Sequence, residues 1–179
     1  MELKGSRTEA NLMAAFAGES QARNKYGFYA SRARKEGYCQ IGDLFEETAS
    51  NERQHAKIWF ELLREGENAD TLSALLDAAG GEHYEWAEMY AGFAREAKEE
   101  GFDRIAFLFE AVAKIEKEHE GRFRTLASSV ETDTVFKKEE EQTWICEKCG
   151  HIHVGRSAPE ICPVCKHGKA HFEIKKENY

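Results

Sequence analysis

Phe45–His55 reads FEETASNERQH and Phe109–His119 reads FEAVAKIEKEH, two stretches that agree at Phe, Glu, Ala, Glu and His with one constant offset. Each closes on Glu-x-x-His: Glu52 with His55, and Glu116 with His119. Residues three apart on a helix share a face, so each pair is able to grip one metal ion. In a chain this rich in Glu, a lone Glu-x-x-His is more often a solvated surface pair. Recurrence in register is what favours a ligand role. A second echo, KEG from Lys35 and EEG from Glu99, extends the match, and the region reads as two copies of one helical hairpin.

Working outward, the only two prolines, Pro159 and Pro163, lie near the C-terminus, which leaves everything before them free to be helical. SRTE from Ser6 is a capping box. Leu12, Ala15, Phe16, Glu19, Ala22, Tyr26 and Tyr29 recur at helical spacing and predict a first helix running to about Gly37. A second is expected from Asp43 as N-cap toward Gly66, carrying Leu44, Ala49, Ile58, Trp59 and Leu62. Residues 66–81 read as a long connection with an apolar patch from Leu72 to Leu76. A third helix is expected from about Glu82 to Gly101 and a fourth from Asp103 past Phe123. Short, long, short is the connection pattern of a ferritin-like four-helix bundle with one long crossover. The charge run KKEEEQ, Lys137–Gln142, reads as a linker or equally as a frayed helix end. The expected division is therefore a helical bundle over 1–136, a linker over 137–142 and a small module over 143–179.

If two helices carry Glu-x-x-His, the other two must each supply one inward Glu, the ligand set of a di-iron carboxylate bundle. Glu19 in MAAFAGESQAR and Glu85 in HYEWAEMY fit, each set among small and aromatic residues. Unpaired buried carboxylates cost several kcal/mol apiece, and two divalent cations remove that cost. Oxygen and imidazole donors suit iron or manganese better than zinc. Glu88, three after Glu85, shares its face, and spacing leaves a ligand and an exposed acid equally open. Tyr26, one to two turns after Glu19, is either a hydrogen-bond or proton donor to the site or core packing.

Four of the five cysteines form two Cys-x-x-Cys knuckles, Cys146 with Cys149 and Cys162 with Cys165, in a tail too short to fold on its own core. Four thiolates suit iron or zinc alike. Trp144 and Phe172 flank the knuckles and are placed to cover them, while His151 and His153 are expected on a loop. Cys39 is read as a small, partly buried hydrophobe. The chain has 179 residues, 41% of them hydrophobic, and a net charge of -8, which argues against a nucleic-acid surface built on clustered Lys and Arg. MELKGSRTEA lacks the apolar core of a signal peptide, and no stretch is apolar enough to span a membrane. Cytoplasmic residence is the expectation, and there paired cysteines are metal ligands more readily than disulfides.

AGESQARNKY, SNERQHAKIWF, YEWAEMY and KIEKEHEGRF, followed by WICEKCG and CPVCK, give the chain its resemblance to the rubrerythrins over almost its whole length. The resemblance implies a ferritin-like di-iron domain followed by a rubredoxin-like Fe(Cys)4 domain with short strands. It implies a cytoplasmic peroxidase that reduces hydrogen peroxide to water, fed by an NAD(P)H-dependent reductase or rubredoxin, in a head-to-tail homodimer or larger homo-oligomer. It assigns Glu19, Glu52, His55, Glu85, Glu88, Glu116 and His119 to two bridged irons, and Cys146, Cys149, Cys162 and Cys165 to a third. Glu88 and His55 would alternate on one iron as the redox state changes. Lys166 and His151 depart from free-standing rubredoxins, which usually have Gly after the second knuckle and an aromatic after the first Cys-Gly. Two other functions fit the same residues: a ferritin-like ferroxidase that hands ferric iron to a store, and a redox sensor with a zinc ribbon.

Overall fold

Ser6 caps the first helix as its sequence predicts: its hydroxyl accepts from the Glu9 backbone N–H at 3.1 Å, and the Glu9 carboxylate reaches back to Gly5 N–H at 2.6 Å. In the computed structural model, which describes residues 2–64 and 69–177, this helix α1 spans Arg7–Lys35. Gly37 stops it with φ +89, the left-handed conformation that glycine adopts without strain, and Tyr38 N–H closes the turn on Ala33 O at 2.9 Å. Helix α2, Cys39–Leu63, has its N-cap at Tyr38, five residues before the expected Asp43. The Asp43 carboxylate caps nothing; it pairs with Arg34 of α1 at 2.9 Å, so a tertiary ion pair has taken the side chain that local capping preference would use. Cys39 is exposed rather than partly buried, because it opens the helix at the hairpin turn. The expected stop at Gly66 lies outside the described residues.

The chain divides into two units, Met1–Ala69 and Asp70–Tyr179, within the region expected as a single bundle. In the first, α1 packs on α2 through small residues: Ala30, Ala33 and Ala56 are buried, and a Cβ on Gly42 would meet Arg34 Cγ at 2.8 Å. In the second, the Asp70 carboxylate accepts from Ser73 N–H at 2.7 Å and starts α3, Thr71–Tyr84. The helix thus begins eleven residues before Glu82. The Leu72–Leu76 patch is its first face, and the stretch expected as a connection is helical through Gly80 and Gly81, each of which costs about 1 kcal/mol relative to Ala. A π turn, Glu85–Met89, leads into α4, Tyr90–Glu99. Gly101, at φ +84, repeats the Gly37 turn, and α5, Asp103–Glu131, returns along α3 and α4.

Helix gives way to a three-stranded antiparallel sheet in the order β2-β1-β3, with β1 Lys137–Cys146, β2 Ile152–Ser157 and β3 Phe172–Ile174. The expected linker is the first half of β1, from Lys137 opposite Ser157 to Gln142 opposite Gly155, with the register shifting between. Its charged side chains are mostly solvent-facing, and what the sequence pattern hides is a backbone paired along one edge. Trp144 and Phe172 form the module's core with Cys146, Ala158 and Cys162, and the Trp144 indole donates to Gly155 O at 2.9 Å. His151 lies between β1 and β2, whereas His153 is in β2.

Candidate metal centres

The duplicated hairpins present duplicated donor groups. In the first, Glu19 from α1 meets Glu52 and His55 from α2; the His55 Nδ1 lies 2.7 Å from Glu52 and 3.8 Å from Glu19. In the second, Glu82 from α3 meets Glu116 and His119 from α5; the His119 Nδ1 lies 2.7 Å from Glu116 and 3.7 Å from Glu82. The structure thus brings together five of the seven acid and histidine candidates. Glu85 and Glu88 stand outside both groups, and Glu82, which sequence pattern did not single out, takes the place expected for Glu85. The missed signal was the repeat itself: 63 residues separate Glu82 from Glu19, while 64 separate the two Glu-x-x-His pairs.

That one-residue discrepancy has a structural cause. Tyr26 packs on Phe45 at 6.1 Å between centroids and Tyr90 on Phe109 at 5.9 Å; Tyr29 and Phe93 complete the two trios, each 5.6 Å from its Phe. Tyr90 lies 64 residues after Tyr26, so one residue has been inserted between Glu82 and Tyr90 relative to the first hairpin. The π turn absorbs it and leaves both donor group and aromatic trio in register. Three residues after Glu19 stands Ala22; three after Glu82 stands Glu85, so the second hairpin has an extra acid there. Of the two roles open to Tyr26, the geometry displays packing, with its ring against Tyr29 and Phe45.

Acids crowd one another in the second group. Burial, then the Glu116 charge and, more weakly, Glu85 raise the Glu82 carboxyl above its ordinary range, against the opposing pull of His119. Tyr90 is raised by burial and by Glu85, Glu116 and Glu82, so its Oη holds its proton. Glu88 is exposed. Beside the group, Glu120 is buried and accepts from Trp86 Nε1 at 2.5 Å and Arg124 Nε at 2.6 Å, with His83 Nδ1 at 3.1 Å. Those partners hold its carboxyl down to about 2, the Trp86 hydrogen bond first. None of His83, Trp86 or Glu120 was singled out in the sequence, because their partnership joins residues more than thirty apart.

In the C-terminal module four sulfurs converge. Cys146 and Cys165 Sγ are 3.7 Å apart and Cys149 and Cys162 Sγ 3.6 Å, far beyond a disulfide bond and close to the roughly 3.8 Å edge of a tetrahedron with metal–sulfur bonds of about 2.3 Å. Burial opposes a thiolate at Cys162, but the backbone N–H groups of Cys165 and Val164 and the neighbouring thiols outweigh it and lower the group to about 7. At Cys149 the His151 N–H favours the thiolate, yet burial and the other three sulfurs push it up to about 12. Four thiolates are compatible only with a cation among them. The knuckles are twins: Gly150 N–H bonds Cys146 O at 2.8 Å, and Lys166 N–H bonds Cys162 O at 3.0 Å. Lys166 adopts φ +63 there, as Gly150 adopts +74, so the departure at Lys166 changes the residue and keeps the turn. Lys166→Gly is expected to stabilise the module by about 1 kcal/mol, since an L-residue at positive φ costs about 1–2 kcal/mol; chemical denaturation followed by thiolate absorption checks it.

Paired groups of two glutamates and one histidine on helical hairpins, followed by a four-cysteine knuckle pair, define an iron-binding oxidoreductase of the di-iron carboxylate class with a rubredoxin-like module. The rubrerythrin family model matches residues 10–127, and the model of the rubrerythrin rubredoxin-like domain matches 144–173. The chain belongs to the rubrerythrin family. It is 48% identical to rubrerythrin-1 of Clostridium acetobutylicum, over 99% of this chain and 98% of that one. It is 47% identical to rubrerythrin of Nitratidesulfovibrio vulgaris with the same coverage. Among solved structures, fully reduced, all-ferrous nigerythrin is 31% identical and covers 97% of this chain and 91% of its own, with a TM-score of 0.35. The family's cofactors are a carboxylate-bridged iron pair and a single Fe(Cys)4 centre; each glutamate–histidine group offers donors of the first kind, and the four converging sulfurs those of the second. No described helix is long and apolar enough to cross a membrane.

Proposed function

We propose that the protein is a non-haem di-iron peroxidase that reduces hydrogen peroxide to two waters, taking up two electrons and two protons per turnover. What supports this best is the coexistence in one chain of two glutamate–histidine groups and a four-thiolate site, since an electron-relaying centre has no use in storing iron. Iron held by the glutamate–histidine groups would supply the two-electron chemistry, and iron held by Cys146, Cys149, Cys162 and Cys165 would supply single-electron transfer. The chain's own residues supply the rest. Glu19, Glu52, Glu82 and Glu116 offset the cationic charge, with His55 and His119 as neutral donors. Glu82, on this reading, is the counterpart of Glu19. Glu85, half-buried and close enough to raise Glu82, is the additional carboxylate in place of Glu88. Tyr90 Oη, kept protonated by burial and the surrounding acids, is a proton source beside the second group.

The electron donor is an NAD(P)H-dependent reductase, directly or through rubredoxin, and the protein works in the cytoplasm, where thiolate ligands stay reduced. A head-to-tail homodimer is the proposed assembly, by likeness to the family. With NADH and a suitable reductase, the iron-loaded protein should sustain many turnovers of peroxide. A single stoichiometric oxidation followed by release of ferric iron would instead establish the ferroxidase.

A further inference from the structure

Glu120 is the only buried acid among the described residues, and it belongs to neither donor group. It follows His119 directly on α5, while its partners His83 and Trp86 directly follow Glu82 and Glu85. The segment therefore alternates: Glu82 belongs to the metal group and Glu85 stands near enough to raise it, whereas His83 and Trp86 belong with Glu120. Trp86 is held on three sides. Its Nε1 donates to Glu120, Lys117 Nζ stands 5.0 Å from its ring centroid, and the His83 ring meets it edge-on at 5.2 Å.

Trp86 also lies inside the π turn, a conformation rare enough that surrounding contacts must hold it. The first hairpin is the internal comparison. There Ala56 follows His55 where Glu120 follows His119, Ala22 stands three after Glu19, and α1 has no π turn. The space beside Ala56 is an open groove of about 360 Å³ lined by Ser20, Arg23, Arg53 and Phe60 among others. The buried carboxylate, the inserted residue and the extra acid occur together in one hairpin and are absent together from the other.

We propose that Glu120 is a positioning residue for the second metal group: through Trp86 and His83 it ties α3 and the π turn to α5 and sets where Glu82 and Glu85 stand relative to Glu116 and His119. The assignment rests on the metal reading of those residues. It differs from a general structural role in that the contact is a hydrogen bond to a particular indole, which Gln can still accept and Ala cannot.

The test uses the full chain loaded with cobalt(II), whose ligand-field absorption reports the geometry of oxygen and nitrogen donors apart from the thiolate bands of the four-cysteine site. Glu120→Ala and Trp86→Phe should alter the ligand-field spectrum and speed cobalt loss to a chelator by about tenfold, the lower end of the effect of residues that orient ligands. Glu120→Gln should restore most of both, with helix content unchanged. Should Glu120→Ala fail to fold, Trp86→Phe decides, since it keeps an aromatic ring and removes the donor. Wild-type spectrum and release rate in Trp86→Phe, or no rescue by Gln in folded protein, overturns the role of Glu120. Absence of any cobalt ligand-field absorption from oxygen and nitrogen donors in the wild type would overturn the metal reading itself.

Discussion

Glu82→Ala is expected to empty the second Glu–His group of metal while making the metal-free protein more stable. The two effects have one cause. Without a cation the Glu82 carboxylate is partly desolvated beside Glu116 and Glu85, and its carboxyl is raised above the ordinary range. The ionised form is therefore strained in the folded state. That strain is absent at pH values below the unfolded carboxylate range and complete once pH exceeds the raised folded value, so apoprotein stability falls as pH rises between them. Removing the carboxylate removes this pH dependence. With metal present the sign reverses, because one of three donors is lost, and affinity should drop by at least about 100-fold, more than for residues that only orient a ligand. Iron analysis of the purified variant and thermal unfolding of the apoprotein on either side of the carboxylate range check both halves. Glu88→Ala is the companion: it should retain its iron, because Glu88 is exposed and outside the group. If Glu88→Ala loses metal and Glu82→Ala does not, the assignment made from the repeat is wrong.

Cys162→Ala is expected to unfold the C-terminal module outright. Its buried cluster is Trp144, Cys146, Ala158, Cys162 and Phe172, so two of the five members are themselves metal ligands. Structural tetrathiolate-type sites contribute on the order of 10 kcal/mol of folding free energy, far more than a module this small retains as surplus. The variant should lose the ferric-thiolate absorption and the dispersed amide resonances of β1 to β3. The helical signal should persist, since the helices are held by their own caps and by packing on one another. A cooperative, dispersed spectrum for residues 137–177 in the colourless variant would show that the sheet stands without its metal.

Most of the helical pattern was legible because it rested on local chemistry. The Ser6 cap, the stop at Gly37 and the repeated Glu-x-x-His pairs depend on residues within a turn or two, and the structure keeps them. The two Cys-x-x-Cys knuckles were equally plain, since few arrangements other than a metal explain four paired cysteines in so short a tail. Errors came where a local preference competed with a distant partner. Asp43 had the right type for a cap and spent its carboxylate on Arg34 instead. Residues 66–81 looked like a long connection, yet Asp70 caps a helix that runs from Thr71 through Gly80 and Gly81.

The sequence by itself determined that duplicated Glu and His on helices and four paired cysteines are spaced as metal donors, because donor type and spacing are written in the residues; iron as the metal comes from membership of the family. Which acid of the run Glu82, Glu85 and Glu88 joins Glu116 and His119 was decided only by the tertiary structure. A one-residue insertion is invisible to helical periodicity, since a π turn shifts every later side chain by most of a third of a turn while leaving the composition unchanged. The same holds for Glu120, an ordinary acid in a charged stretch until packing brings Trp86, His83 and Arg124 around it. Burial with three donors is a property of the fold, and no single segment of the sequence contains it.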